Sequence, residues 1–297
     1  MNWTSHFLSR GLLLLAFACA AASAEELPAT RDLNFALLNA ARTGDATAIE
    51  GLLREGASVK TRNRTGTTAL ILAARGDHTE AARSLLSAGA EVDQANLEDT
   101  TPLIAASDGG HLETVTLLLD HGANVNHVDQ RLLSPLMHAV YGGHTELVEL
   151  LLAKEAKVDL IDRSGKSALV YAAASGHGPI LELILARGVE VNQRFQNELT
   201  ALMWATGYGH VDTIAALLAA GAQPNLKDNR GMTALMIASG EGHAAAVTKL
   251  LEGGADPSLE DREGKTARDH AAAAGHSAVV ELLTATESRR SATADRR

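Results

Sequence analysis

Apolar residues along the chain fall into short blocks of two kinds, and the blocks alternate with polar turns. In TELVELLLA, Thr145 to Ala153, leucines and a valine recur at three- and four-residue steps, which lays them on one broad face of an amphipathic helix. Blocks of the other kind, such as TTALILAA and TPLIAAS, are shorter and rich in small residues, and they read as a second set of helices. Each of these begins at Thr or Ser, a good N-cap, and in two of them Pro102 and Pro135 follow directly, where proline's missing N–H costs nothing. Gly-His then starts the longer helix, which ends at glycine before alanine, the left-handed C-cap that glycine adopts cheaply. A polar hairpin such as DRSGK or DNRGM leads into the next pair.

The pairs recur every 33 residues. Histidine stands at His78, His111, His144, His177, His210, His243 and His276, and one further step back lands on Asp45. Ten residues ahead of the histidines stand Thr68, Thr101, Ser134, Ser167, Thr200, Thr233 and Thr266. Gly-Ala closes the longer helix at 56, 89, 122, 221 and 254, with Glu155-Ala156 and Gly188-Val189 at the same phase. The three series agree over eight units without an insertion or deletion. Helices of about nine residues are too short to stand alone in water, so each unit must bury its apolar face on its neighbours. The product is a solenoid.

On these residues the sequence resembles the ankyrin-repeat family. TPLIAASDGGH, SPLMHAVYGGH, TALMWATGYGH and TALMIASGEGH are similar to its T-P-L-H-x-A signature at the same period. The resemblance implies an all-α fold, a solenoid of about eight helix-turn-helix units with β-hairpin fingers over residues 32–285, the first and last units acting as caps. The signature's histidine is replaced by Ile71, Ile104, Met137, Val170, Met203 and Met236. Glu155 stands where a C-cap glycine belongs, at a cost of roughly 1 kcal/mol. Finger-turn glycines give way to Asp99, Leu132 and Glu198. The first unit lacks the Thr-Pro start, and the last carries Arg268-Asp269-His270 where inner units are apolar, which wets the end of the stack. Layers roughly 8 to 10 Å apart make a curved rod on the order of 70 Å long.

The N-terminus changes the picture of where such a rod works. His6 and Arg10 precede an apolar run, GLLLLAFACAAA, then Ala22-Ser23-Ala24 and the acidic Glu25-Glu26. This is the layout of a cleavable signal peptide over residues 1–24, cut after Ala24, and it implies a periplasmic or secreted protein. The run falls short of the roughly 20 apolar residues that span a bilayer, so no membrane insertion is expected once the signal is removed. Cys19, the only cysteine, lies in that segment. A mature chain would then hold no disulfide, catalytic thiol or cysteine zinc site, which suits an oxidising compartment. Residues 25–31 read as a short linker and residues 286–297 as a disordered polar tail. The net charge of −10 becomes −11 without Arg10, and an acidic chain has no reason to seek nucleic acid or an anionic membrane.

The regular histidines invite a metal reading, which their spacing rejects. Two ligands of one zinc approach within roughly 3 to 4 Å of each other, whereas equivalent positions on successive layers are about 8 to 10 Å apart. Each histidine is expected to bond local backbone at its turn instead. His127 and His138 lie outside the series and read as a surface pair. Gly165-Lys166-Ser167 and Gly264-Lys265-Thr266 look like the end of a phosphate loop, but Leu160 and Leu259 stand where that motif needs glycine. HExxH, G-x-S-x-G and carboxylate pairs outside the repeat pattern are absent too, so neither catalysis nor a cofactor is expected.

The family resemblance implies a non-catalytic binder of another protein, working through the finger tips and the exposed side of the first helix. On this chain it implies Arg75, Asp108, Tyr141 and Tyr208 on helices, and Arg131, Leu133, Arg163, Leu199, Arg230 and Met232 on fingers. Beyond residue 24 the aromatics are Phe35, Tyr141, Tyr171, Phe195, Trp204 and Tyr208, and all but Phe35 fall in the fourth to sixth units. Aromatics and arginines are frequent interface hot spots, so the binding face is centred there, with Tyr141 and Tyr208 exposed. Tyr171 and Trp204 share one repeat position and also read as filler between first helices. The leading reading is an envelope adaptor that holds or stabilises another exported protein through its concave face. An inhibitor or immunity protein that blocks a toxin or hydrolase, and a passive structural spacer, stay open beside it.

Overall fold

The computed structural model describes residues 28–294, and the expected signal peptide and its cleavage site at Ala24 lie outside them. Sixteen α-helices follow one another in pairs among the described residues. The first four units pair α1 (Pro28–Thr43) with α2 (Ala46–Arg54), α3 (Ala69–Arg75) with α4 (Thr79–Ser87), α5 (Pro102–Asp108) with α6 (Leu112–Asp120), and α7 (Pro135–Tyr141) with α8 (Thr145–Ala153). The last four pair α9 (Ala168–Ser175) with α10 (Gly178–Leu185), α11 (Ala201–Gly207) with α12 (Val211–Ala219), α13 (Ala234–Gly240) with α14 (Ala244–Glu252), and α15 (Ala267–Ala273) with α16 (Ser277–Ala294). First helices pack on first helices of the neighbouring units, and second helices on second helices.

The period written in the sequence becomes a pair of apolar columns. Leu70, Leu103, Leu136, Leu169, Leu202 and Leu235 run through the first helices, all buried, and the next member of the series is the exposed Arg268 of the end unit. Leu85, Leu118, Leu151, Ile184, Leu217, Leu250 and Leu283 run through the second helices, each wholly buried. Burying such a side chain stabilises by about 1.5–3 kcal/mol, and here each contact crosses a unit boundary. The caps behave as their residue types dictate. Thr68, Thr101, Ser134, Thr200, Thr233 and Thr266 each accept the N–H three residues on, while Ser167 does not, and its hydroxyl is buried without a partner.

Six of the seven regular histidines bond the preceding unit rather than the backbone of their own turn. The Nε2 of His78, His111, His177, His210, His243 and His276 reaches back to the carbonyls of Arg42, Arg75, Tyr141, Ala174, Gly207 and Gly240, at 2.9 to 3.4 Å. A carbonyl only accepts, so Nε2 carries the proton. These carbonyls lie at the ends of the preceding unit's first helices, where no intrahelical donor remains, and that vacancy turns a local residue into a staple between units.

Two expectations about the ends are corrected. The helical stack begins at Pro28, so the linker ends at residue 27 rather than 31. At the other end α16 runs through Ala294 in place of a disordered tail, with no glycine or proline to stop it, and Arg268 holds Glu287 at 2.9 Å. The fingers are tight hairpin turns, as in Asn63 N–H to the Thr67 carbonyl and Gly66 N–H to the Asn63 carbonyl, and among the described residues one isolated bridge, Arg62 to Thr68, has strand geometry.

Candidate protein-binding face

Each finger is organised by the residue at its base. Asn63, Asn96, Asp129, Asp162, Asp228 and Asp261 recur at the repeat period, and the Oδ1 of each accepts two backbone N–H groups, two and four residues on, at 2.8 to 2.9 Å. This fourth series was legible in the sequence and went unread, because Asn and Asp in polar turns look like ordinary turn composition. All but one pair of adjacent fingers are joined by a backbone bond, such as Leu97 N–H to the Thr65 carbonyl and Arg163 N–H to that of Arg131, both 3.0 Å.

In three fingers the second carboxylate oxygen reaches the first helix, nine residues on, whereas Asp228 Oδ2 is held by Arg230. Asp162 Oδ2 accepts from the Tyr171 hydroxyl at 2.5 Å, and Asp261 Oδ2 meets His270 Nε2 at 2.8 Å. Asp129 Oδ2 lies 3.5 Å from the nearly buried His138 Nε2, whose other nitrogen bonds Asp108 at 2.9 Å. His138 is therefore not a surface partner of His127, which bonds the Asp99 carbonyl at 3.1 Å. Burial alone would raise the Asp162 carboxyl, but donors from Tyr171, Lys166 N–H and Ser164 outweigh it and hold the group below its ordinary value. Burial, and then the Asp162 carboxylate, push Tyr171 well above the usual phenol range.

The sixth unit breaks the rule. Phe195 occupies the base position, so nothing caps the finger and Trp204, nine residues on, meets no carboxylate. Its buried Nε1 has no acceptor. The finger closes instead as a short 3-10 turn, Gln196–Glu198, with Asn197 and Glu198 both left-handed at φ of 62° and 63°. No backbone bond joins Ser164 to Gln196, whereas the next finger is joined through Asn229 N–H to the Asn197 carbonyl.

Around this break the side chains gather. Tyr141 and Tyr171 meet edge to face with centroids 5.9 Å apart, and Lys166 Nζ lies 5.7 Å from the Tyr171 ring centre and 4.8 Å from that of Trp204. Tyr141 is 65% exposed and Tyr208 58%, the latter stacked on His210 at 6.0 Å. A hollow of about 490 Å³ beside this run draws together Arg75, Asp108 and Arg131 with Asp129 and His138. Arg163 and Arg230 are exposed on finger tips, Arg230 holding Asp228 at 2.8 Å, and Leu199 and Met232 are half-buried against the core. Leu133 and Phe195 belong to the interior, at 9% and 8% exposure, and offer a partner nothing. Leu133 N–H is held by Asp129, which draws the residue inward ahead of the helix, and Phe195 fills a position already buried in the neighbouring units.

Tyr171→Phe is expected to cost about 1–2 kcal/mol, the hydroxyl being a donor to a buried carboxylate. A carboxylate held low stabilises the fold above its ordinary value and loses that contribution as pH falls through its folded value. Without the Tyr171 donor Asp162 is held less low, so acid unfolding of the variant begins at a higher pH. Acid titrations followed by circular dichroism, with urea unfolding at neutral pH, check both effects. Coincident acid midpoints would remove Tyr171 from the account.

Stapled helix pairs with variable side chains along one face define a repeat scaffold for binding other proteins. The chain matches the family model described as "Ankyrin repeats (3 copies)" over residues 37–129, 124–195, 181–261 and 202–293, and it belongs to the ankyrin-repeat family. Repeats of this family are protein–protein interaction modules and typically non-catalytic. Comparison with curated proteins returned no match. Among the described residues no helix is long and apolar enough to cross a membrane.

Proposed function

We propose that the protein is an exported adaptor that binds and holds another protein of the cell envelope through the face of its fourth to sixth units. The observation that carries this reading is the linked run of Tyr141, Tyr171, Lys166 and Trp204, ending in open aromatic surface at Tyr141 with Tyr208 close by in sequence to Trp204. Amphipathic rings with little conformational freedom are effective anchors, and the arginines and Asp108 along the same helices and fingers give a polar rim. Export is supported by the leader-like pattern of residues 1–24 and by the lack of cysteine after Cys19.

The test is a pull-down from envelope extract with residues 25–297 as bait, beside a Tyr141→Glu/Tyr208→Glu variant of unchanged circular dichroism. One prominent protein is expected with the parent bait, bound at least about 100-fold more weakly by the variant, as two lost hot spots imply. If that protein keeps its activity in the complex, the adaptor reading stands. A toxin or hydrolase silenced one-to-one would make the chain an inhibitor, and equal capture by both baits would assign the aromatics to packing.

A further inference from the structure

We propose a second docking site, independent of the aromatic face, in the groove between α1 and the first finger: it takes an acidic, extended peptide segment bearing one large apolar side chain. The groove holds about 800 Å³ and exists because α1, at 16 residues, is longer than the 7- and 8-residue first helices of the other units. Residues of α1 from Arg31 to Arg42 form one wall and the turn Thr61 to Thr65 the other.

Charge and apolar surface in this groove both point to that ligand. Arg31 and Arg42 on α1 face the groove with Arg62 and Arg64 on the finger, all four exposed. No carboxylate lines it, in a chain of net charge −10, and none of the four arginines pairs with a carboxylate among the described residues. Arg42 donates only to Asn39, at 2.8 Å. Guanidinium forks match carboxylates two bonds at a time, so two pairs of arginines on opposite walls suit two or more acidic side chains. Phe35 lies in the same groove and is 75% exposed, beside the half-buried Leu38 and Leu72, an apolar strip that a free carboxylate or inorganic ion would leave unused. Length separates a peptide from a nucleic acid. Segments of a polyanion more than a Debye length, about 10 Å, from the four arginines are screened from their attraction and lie against a body of net charge −10, whereas a short peptide stays within reach of the arginines.

The experiment is fluorescence anisotropy of the labelled peptide Glu-Asp-Phe-Glu-Asp and its amide counterpart Gln-Asn-Phe-Gln-Asn, titrated with residues 25–297. The acidic peptide is expected to bind, more weakly as salt is raised, and at least about tenfold more tightly than the amide. Arg62→Glu/Arg64→Glu is expected to lose about 100-fold. The milder Arg62→Gln/Arg64→Gln gives an intermediate loss and guards against misfolding of the reversal. Tyr141→Glu/Tyr208→Glu leaves the affinity unchanged, which separates this site from the proposed adaptor face.

Absence of binding, equal affinity for the two peptides, or indifference to the arginine changes would overturn the proposal. So would a short single-stranded oligonucleotide that outcompetes the peptide, or self-association in sedimentation that the arginine variant abolishes, which would give the groove to a second copy. Binding that appears only with Glu25→Gln/Glu26→Gln would give it to the chain's own N-terminal segment.

Discussion

Leu151→Ala is expected to destabilise the array by about 3 kcal/mol and to divide its unfolding into two transitions. Leu151 is wholly buried in α8, an inner member of the column that runs from Leu85 to Leu283. Truncating a leucine in such a place forfeits the transfer energy and leaves a cavity, together about 2–5 kcal/mol. In a quasi-one-dimensional array the loss falls on two neighbouring interfaces, and cooperation between the units on either side depends on those interfaces. Urea unfolding followed by circular dichroism would show a broadened or stepped curve for Leu151→Ala. Leu283→Ala, at the end of the same column, should cost less and only fray α16, leaving one main transition. If both variants unfold as sharply as the parent, the stack is held by something other than its apolar columns.

Gly110→Ala is expected to cost about 2–3 kcal/mol, a large effect for one methyl group. Gly110 sits at the turn into α6 with φ of +72°, a conformation that strains any side chain. A Cβ there would also lie 2.4 Å from Nδ1 of His144, in the next unit. The ring must move, and the two terms add because one is backbone strain and the other is a displaced neighbour. The companion Gly122→Ala isolates the first term, since that glycine is also left-handed at φ of +83° with nothing near its Cβ. Thermal unfolding of the pair should rank Gly110→Ala as the more damaging, and a reversed order would deny the histidine ring its place against that turn.

Much of the fold was legible because the constraints were local and repeated. Glu155, Asp99, Leu132 and Glu198 were placed at glycine positions by period alone, and all four are left-handed, with φ between 57° and 63°. The N-caps and the wet last unit were legible for the same reason. Relations between units were harder to read. A histidine's bonding partner lies in the preceding unit, and no pattern within one unit announces it. The finger base series was present in the letters, yet its meaning, and the meaning of Phe195 as its exception, needs the distance from Asp162 to Tyr171 to be seen. The same holds for the candidate face. Tyr141 and Tyr208, at the ends of their first helices, could be judged from helix phase, whereas Leu133 and Phe195 lie in turns whose inward side is set by the bonds of the base residue.

Pulled along its length, such a stack carries the same force through every unit boundary, and it yields where the boundary has least to hold it. Between the fifth and sixth units the finger bond is missing, and the polar links that remain beside the apolar columns include the His210 bond to the Ala174 carbonyl, the bonds of the Asn192 side chain to the Gly221 carbonyl and Gln223 N–H, and the reach of Lys166 across to the Trp204 ring. On its finger side that boundary has no backbone bond to resist opening. A protein seated across Tyr141, Tyr171 and Trp204 would span it like a splint, so tension on the rod and capture of a partner would oppose each other.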